Sequence, residues 1–358
     1  MTYFVTGATG FIGRRLVKKL LARRGTVVYF LVRAESRDKV PALLEDWGVG
    51  EDRAIPVVGD LGQPLLGLSK ADQKKLTGKV KHFFHLAAVY DLSVSRDLGM
   101  RVNVDGTRHV LEFAHRCPAL RRLHYVSTCY ISGRYDGVFT ELMLEEGQQF
   151  NNWYEETKYL AEVLVQRASR GGLPVSIYRP AVVVGDSTTG MTQKFDGPYF
   201  VMQWLLRQPR IALMPVVGNP LVCVLNVVPR DFVVDAIAYL SAHVAKDGMV
   251  YHLADPAPIT VDAMLSELAR STKRIVLRVP LPMGVAKFAI EHVPGVYRTL
   301  RIPSPVINYF NHRTTYTTTA TEAALTGSGI RCPRFPEYVD RLVQFARDHP
   351  EIRPTAMF

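Results

Sequence analysis

The stretch NNWYEETKYLAEVL, Asn151 to Leu164, sets Tyr154 and Lys158 four residues apart on a helical pattern. At that spacing both side chains leave one face, and Ala161 and Val165 continue the stripe as apolar residues. A lysine on a face otherwise suited to burial requires a hydroxyl or an anion beside it. Free tyrosine ionises at about 10, too high for efficient proton exchange near neutrality. An ammonium at ~4 Å, in an effective dielectric of about 20, stabilises the phenolate by roughly 4 kcal/mol, or about three pKa units before desolvation opposes it. The pair therefore reads as a proton donor with its tuning charge, while Leu160, Val163 and Leu164 read as packing. Upstream, in YVSTCYISG, Ser127 and Thr128 follow a strand-like run. The carboxyl ends of strands are where an open α/β sheet gathers its ligands, which sets Ser127 and Thr128 at that edge. Cys129 adjoins them, but no histidine pairs with it and it reads as packing.

The elements that must position these groups alternate from the start: TYFVTG, a helix to Arg24, TVVYFLVR, a helix near Leu43, AIPVVGD, a helix near Lys74, then KHFFHLAA. That alternation predicts a Rossmann-type, doubly wound parallel α/β sheet. It continues through a helix over Val104 to His115, the strand RRLHYVST, the helix holding Tyr154, and the strand LPVSIYRPAVVVG. VTGATGFIG, with Gly7, Gly10 and Gly13, joins the first strand to the first helix. Glycine there lets the backbone approach a pyrophosphate, and the helix start offers free amides, so Thr9, Phe11 and Ile12 join the glycines in a dinucleotide site. Where an NAD enzyme places an acid at the end of the second strand, this chain has Arg33, then Arg37 and Lys39. A cation there favours the 2′-phosphate of NADPH. After Gly185 the chain turns loop-like and proline-broken, which predicts an NADP-binding domain over 1–185 and a smaller, mainly helical substrate region over 186–358. NVVPRDFVVDAIAYL and YHLAD, within 222–255, are expected to return to the first domain.

Composition is that of an ordinary globular protein, 47% hydrophobic and 22% charged, with no repeat and no apolar run of membrane-spanning length. No secretory pattern opens the chain, and Cys117, Cys129, Cys223 and Cys332 show neither metal spacing nor pairing, so a cytoplasmic enzyme without zinc or disulfides is expected. The formal charge of +11 points to polyanionic partners; nucleotide phosphates suffice, and no nucleic-acid motif accompanies it. Much of that charge lies on one face of RRLVKKLLARR, which reads as a solvated surface.

The GxxGxxG spacing, with Thr128, Tyr154 and Lys158, resembles the extended short-chain dehydrogenase/reductases. The segments YFVTGATGFIGRRLVKKLLARR, VVGDL, HLAAVYDL, NVDGT, YRPAVVVGDSTTG, FDGPYF and NVVPRDFVVDAI are similar to fatty acyl-CoA reductases and thioester reductase domains, above all to the amino-terminal reductase of bacterial two-reductase enzymes. That resemblance selects Thr128 over Ser127 as the catalytic hydroxyl. It implies that Asp60, Leu61, Ala87, Ala88, Arg179, Pro180 and Val184 line the cofactor, with Asn103 supporting the lysine. It further implies NADPH-dependent reduction of a long-chain acyl thioester or fatty aldehyde, and a second reductase domain in a longer chain. A sugar-nucleotide epimerase or hydroxysteroid-type dehydrogenase, and a non-enzymatic NADPH binder, are the alternatives. The loop from Asp186 to Tyr199 is expected to cover the acyl head. The apolar, basic run VPLPMGVAKFAIEHVPGVYRTLRIPSPVINYFNHR is expected to form an acyl tunnel or a peripheral membrane contact.

Overall fold

In chain order the elements are β1 (Thr2–Thr6), α1 (Phe11–Leu21), β2 (Val27–Val32), α2 (Val40–Trp47), β3 (Ala54–Val58), α3 (Lys70–Thr77), β4 (His82–His85), α4 (Arg96–Gly99), α5 (Gly106–His115), β5 (Arg122–Val126) and β6 (Gly137–Phe139). Then follow α6 (Trp153–Arg170), β7 (Val175–Pro180), β8 (Val182–Val184), α7 (Pro198–Arg207), β9 (Ile211–Val216), β10 (Val224–Leu225), β11 (Val227–Pro229), α8 (Arg230–His243) and β12 (Met249–Leu253). The last are β13 (Ile259–Thr260), α9 (Val261–Thr272), β14 (Ile275–Pro280), α10 (Met283–His292), β15 (Thr314–Tyr316), α11 (Thr319–Leu325) and α12 (Phe335–Asp348). The computed structural model describes residues 1–90, 94–243, 247–292, 309 and 312–352. Asp91 and Leu92 of HLAAVYDL, and much of the run from Val279 to Arg313, lie outside the described residues.

Seven strands form one sheet in the order β3-β2-β1-β4-β5-β7-β12, every neighbouring pair parallel. The order reverses direction between β1 and β4, the switch point at which such sheets open a crevice for ligands. Both faces are covered. Leu16, Val17 and Leu20 of α1 and Phe232 and Ile237 of α8 pack with Val5 and Phe30 on one side. Val110 and Phe113 of α5 and Ala161 and Val165 of α6 pack with Phe4 and Phe83 on the other. A separate core unites α7, α9 and α12 with β9 through Met202, Leu265, Leu342 and Met214.

Several boundaries differ from the sequence reading. The run LPVSIYRPAVVVG breaks at Ala181: β7 stays in the main sheet, whereas β8 leaves it to pair with β11. The helix expected over Val104 to His115 regularises only at Gly106, because a π-helical turn over Met100–Asp105 precedes it. As the sequence reading expects for YHLAD, β12 returns to the main sheet, as its edge strand, so elements after Gly185 contribute to both regions. The basic face of α1 is not simply solvated. Arg14 and Lys18 meet Asp46 of α2, and Lys19 pairs with Asp235 of α8. No described helix is long and apolar enough to cross a membrane.

Candidate active site

The glycine loop is shaped by close backbone approach. Gly7 has φ +78°, and a Cβ there would stand 2.6 Å from the Ala87 nitrogen; one on Gly13 would stand 2.0 Å from the Gly7 carbonyl oxygen. The loop is thereby drawn against the end of β4, which places Gly7 and Ala87 together at the switch point. Gly10 caps α1 without a side chain, and the first turn holds no acid. Its leading amides and positive dipole end are therefore left for an anion, so these residues fit the pyrophosphate of a dinucleotide. Thr9 is exposed beside them, and Phe11 and Ile12 are half-buried at the helix start.

Beyond β2, Arg33 is half-exposed and meets Glu35, 3.3 Å away. That contact is a surface pair of small worth, which leaves the guanidinium accessible to a phosphate. Exposed Asp60 accepts from the Gly62 amide at 2.8 Å, and Leu61 offers its carbonyl to His109 at 2.8 Å. Ala88 lies half-buried past the end of β4, and Pro180 and Val184 are buried.

Across the switch point β5 and α6 bring the sequence-predicted hydroxyls together. The Thr128 hydroxyl lies near enough to the Tyr154 phenol to favour its ionised form, and it donates to the Pro180 carbonyl at 3.3 Å. Ser127 lies beside them with its hydroxyl buried and unpaired among the described residues. Asn152 caps α6 by accepting from the Glu155 amide, which fixes the helix start one turn before Lys158.

Lys158 differs from expectation in its partners. Its ammonium donates to the Tyr125 hydroxyl at 3.1 Å and the Val126 carbonyl at 2.9 Å. Burial pushes it down to about 7 against the raising pull of Glu162. Burial likewise raises the Tyr154 phenol above its ordinary range, with the Thr128 hydroxyl working the other way and Glu155 and Asp196 adding to the rise. The three-unit lowering expected from four-residue spacing is therefore not delivered, since the ammonium is committed to β5 and desolvation outweighs it. Beyond Tyr125 the polar chain runs inward. Thr107 bonds to Tyr125 and to the His85 Nε2 at 3.1 Å, and the His85 Nδ1 lies 2.7 Å from the Thr6 hydroxyl. Burial, with Lys158 adding, pushes His85 down to about 3, so the ring is a neutral strut between β1 and α5.

Asn103, in the π-helical turn, accepts from the Val89 amide at 2.9 Å and donates to the Thr157 hydroxyl at 3.0 Å. It thus ties the segment after β4 to α6. A π turn at such a place reorients one side chain without ending the helix.

Two features were not read from the sequence, the ring against Tyr154 and the burial of Arg179. Tyr90 packs edge-on against the Tyr154 ring at 5.0 Å, bonds to Asp196, and lies 5.0 Å under the Lys194 ammonium. The loop before α7, expected to cover the acyl head, thus meets Tyr90, the ring that packs on Tyr154. Arg179 is fully buried, its guanidinium donating to Glu162 at 2.7 Å and facing the His252 Nε2 at 3.0 Å. All three of its nitrogens are engaged inside the protein, so the cofactor-lining role expected for Arg179 rests on its main chain alone. Cys129 is fully buried with its thiol on the Arg179 carbonyl at 3.0 Å, and burial raises its pKa. A helix register would have flagged Glu162, one turn beyond Lys158; nothing local would have flagged Tyr90 or Asp196.

The NAD-binding family model described as "Male sterility protein" matches residues 5–237. The chain belongs to this family. It is a NAD(P)-dependent reductase of the extended short-chain dehydrogenase/reductase type. The large subunit of L-2-aminoadipate reductase from Penicillium chrysogenum is 29% identical over 272 residues, covering 69% of this chain but 19% of that protein. Aldehyde reductase lnbA of Aspergillus flavus is 27% identical over 309 residues, 80% of this chain and 30% of its own. The reductase therefore spans only a fraction of these curated relatives. Among solved structures, the terminal R domain from the myxalamid PKS-NRPS biosynthetic pathway superposes with a TM-score of 0.80 at 27% identity, covering 98% of this chain and 91% of that one.

Proposed function

We propose that this reductase uses NADPH to convert a fatty acyl thioester, on CoA or on a carrier protein, into the aldehyde, and that it also accepts fatty aldehydes to give the alcohol. The observation that carries the reading is the pair of neighbouring, buried Thr128 and Tyr154 hydroxyls at the sheet's carboxyl edge, across the switch point from the Gly7–Gly13 cradle. The similarity to the terminal R domain and to an aldehyde reductase supports carbonyl reduction over sugar-nucleotide chemistry. Arg33 supports NADPH over NADH, since its exposed guanidinium suits a 2′-phosphate.

A nicotinamide bound along this edge supplies the hydride. Thr128 and Tyr154 donate to the carbonyl oxygen and stabilise the charge that develops there, a contribution of about 2.7–4 kcal/mol per donor in comparable sites. Tyr154 then gives its proton, which completes a hemithioacetal from a thioester or an alcohol from an aldehyde. Collapse of the hemithioacetal breaks the carbon–sulfur bond and releases thiol and aldehyde. Lys158 gives two donors to Tyr125 and Val126, and its third is free for the ribose of the cofactor. Tyr90 and Asp196 exclude water from the phenol until substrate enters.

The test follows NADPH oxidation with a long-chain acyl-CoA, the same acyl group on a carrier protein, the free aldehyde and a UDP-sugar, side by side. Tyr154→Phe, which keeps the ring, is expected to lower kcat/KM by about 100- to 10,000-fold. Turnover of the UDP-sugar alone would sink the substrate assignment, and full activity of Tyr154→Phe would sink the mechanism.

A further inference from the structure

α1 and α8 lie side by side on one face of the sheet, and a cleft of about 260 Å³ opens between them, lined by Arg15, Lys18, Lys19, Arg230, Asp231 and Asp235. Arg230, the first residue of α8, is 3% exposed, and its side chain makes no hydrogen bond to a described residue. Its Nε and Nη2 are buried without an acceptor, and its guanidinium stacks on the Phe11 ring at 4.7 Å. The Asp186 carboxylate stands 3.9 Å away, beyond hydrogen-bond reach, and meets Arg15 at 3.5 Å. Its other oxygen accepts from Thr188 and Thr189. Asp231 is occupied by the Ser187 amide and hydroxyl, and Asp235 by Lys19.

A buried guanidinium carries five donors, and leaving them unpaired costs stability that an apolar side chain of similar volume would not. Such a group held at the wall of a cleft is arranged for an acceptor that arrives with a ligand. Four cations against two carboxylates line the cleft; Arg15, Lys18 and Lys19 each meet a carboxylate, of Asp186, Asp46 and Asp235, so the charge left without a hydrogen-bonded acceptor is that of Arg230, which calls for an anion. The planar fork of arginine matches phosphate oxygens. At about 260 Å³ the cleft falls below the roughly 300–1,000 Å³ of a site that encloses a whole drug-sized molecule, so it takes a phosphate group rather than a complete dinucleotide.

We infer that the α1–α8 cleft is a phosphate-binding site, separate from the glycine loop, with Arg230 as its buried anchor and Arg15, Lys18 and Lys19 at its rim. The phosphate belongs to free inorganic phosphate or to the adenosine end of CoA. The site stands independently of the reaction proposed above, because its test reads binding and not turnover.

Calorimetric titration of the full chain with inorganic phosphate, CoA, 3′-dephospho-CoA and NADPH, at ionic strength fixed with NaCl, decides the matter. Wild type is expected to bind phosphate or CoA, and Arg230→Met to bind them at least tenfold more weakly while holding NADPH within twofold. Loss of affinity on going from CoA to 3′-dephospho-CoA assigns the site to that ester; equal affinity of these two, with phosphate competing, assigns it to free phosphate. Arg230→Met is also expected to melt at a higher temperature than wild type in phosphate-free buffer, because it removes buried donors without acceptors. No binding of phosphate or CoA by wild type, equal binding by the variant, or a loss confined to NADPH overturns the inference. Should Arg230→Met not fold, the rim variant Lys18→Gln/Lys19→Gln carries the test: several-fold weaker phosphate binding supports the site, and unchanged binding overturns it.

Discussion

Replacing Lys158 by Met should stabilise the protein more at pH 6 than at pH 9, while abolishing turnover. Lys158 is 4% exposed, and burial moves its ammonium from 10.5 down to about 7. Between those values the unfolded chain holds a proton on Lys158 that the native chain has lost, so stability rises with pH across that window and the penalty is complete below it. At ~1.36 kcal/mol per pKa unit the full penalty is about 5 kcal/mol, of which roughly half is relieved between pH 6 and pH 9. Methionine fills similar volume without titrating, but it leaves the Val126 carbonyl and one side of the Tyr125 hydroxyl unpaired, a cost of about 1–3 kcal/mol at either pH. Urea unfolding of both proteins at the two pH values isolates the lysine, because every other titration cancels in the difference. The variant's gain over wild type should be larger at pH 6 by about 2–3 kcal/mol. An equal difference at both values would refute the claim that Lys158 is buried at a cost.

Arg33→Glu should lower the ratio of kcat/KM for NADPH over NADH at least tenfold, measured with one substrate at saturation; an unchanged ratio would remove Arg33 from the cofactor site. Gly13→Ala should lose cofactor binding in a fluorescence titration, because its Cβ would stand 2.0 Å from the Gly7 carbonyl oxygen. Asp196→Asn removes one of the charges that raise Tyr154, so the alkaline limb of the pH–rate profile should move to lower pH; a profile that stays in place would show that Asp196 does not act on the phenol.

The glycine loop was legible because GxxGxxG sits between a strand and a helix, a context that only a few physical arrangements satisfy. Tyr154 and Lys158 were legible because four-residue spacing on a helix fixes a common face. What lay beyond local pattern was partnership. Lys158 sends its ammonium to Tyr125 on β5, which no periodicity announces, and burial then sets the upward direction of the shift at the phenol. Glu155 and Glu162 of α6 are fully buried, one accepting from Asn151 and Tyr309 and the other paired with Arg179. Leu160 and Leu164, read as packing, are only half-buried, so the buried face of α6 is rotated towards its polar residues. The break at Ala181 was hidden because Val175–Pro180 and Val182–Val184 are equally strand-like, and only their different neighbours separate them.

The central claim is hydride transfer to a thioester carbonyl held by Thr128 and Tyr154. Mass spectrometry of the product formed from a long-chain acyl-CoA and NADPH deuterated at the nicotinamide C4 tests it most directly. The account predicts one deuterium at C1 of the aldehyde, or two where reduction proceeds to the alcohol, and none with Tyr154→Phe over the same interval. Hydrolysis of the thioester to the acid, with no label at C1, would contradict it.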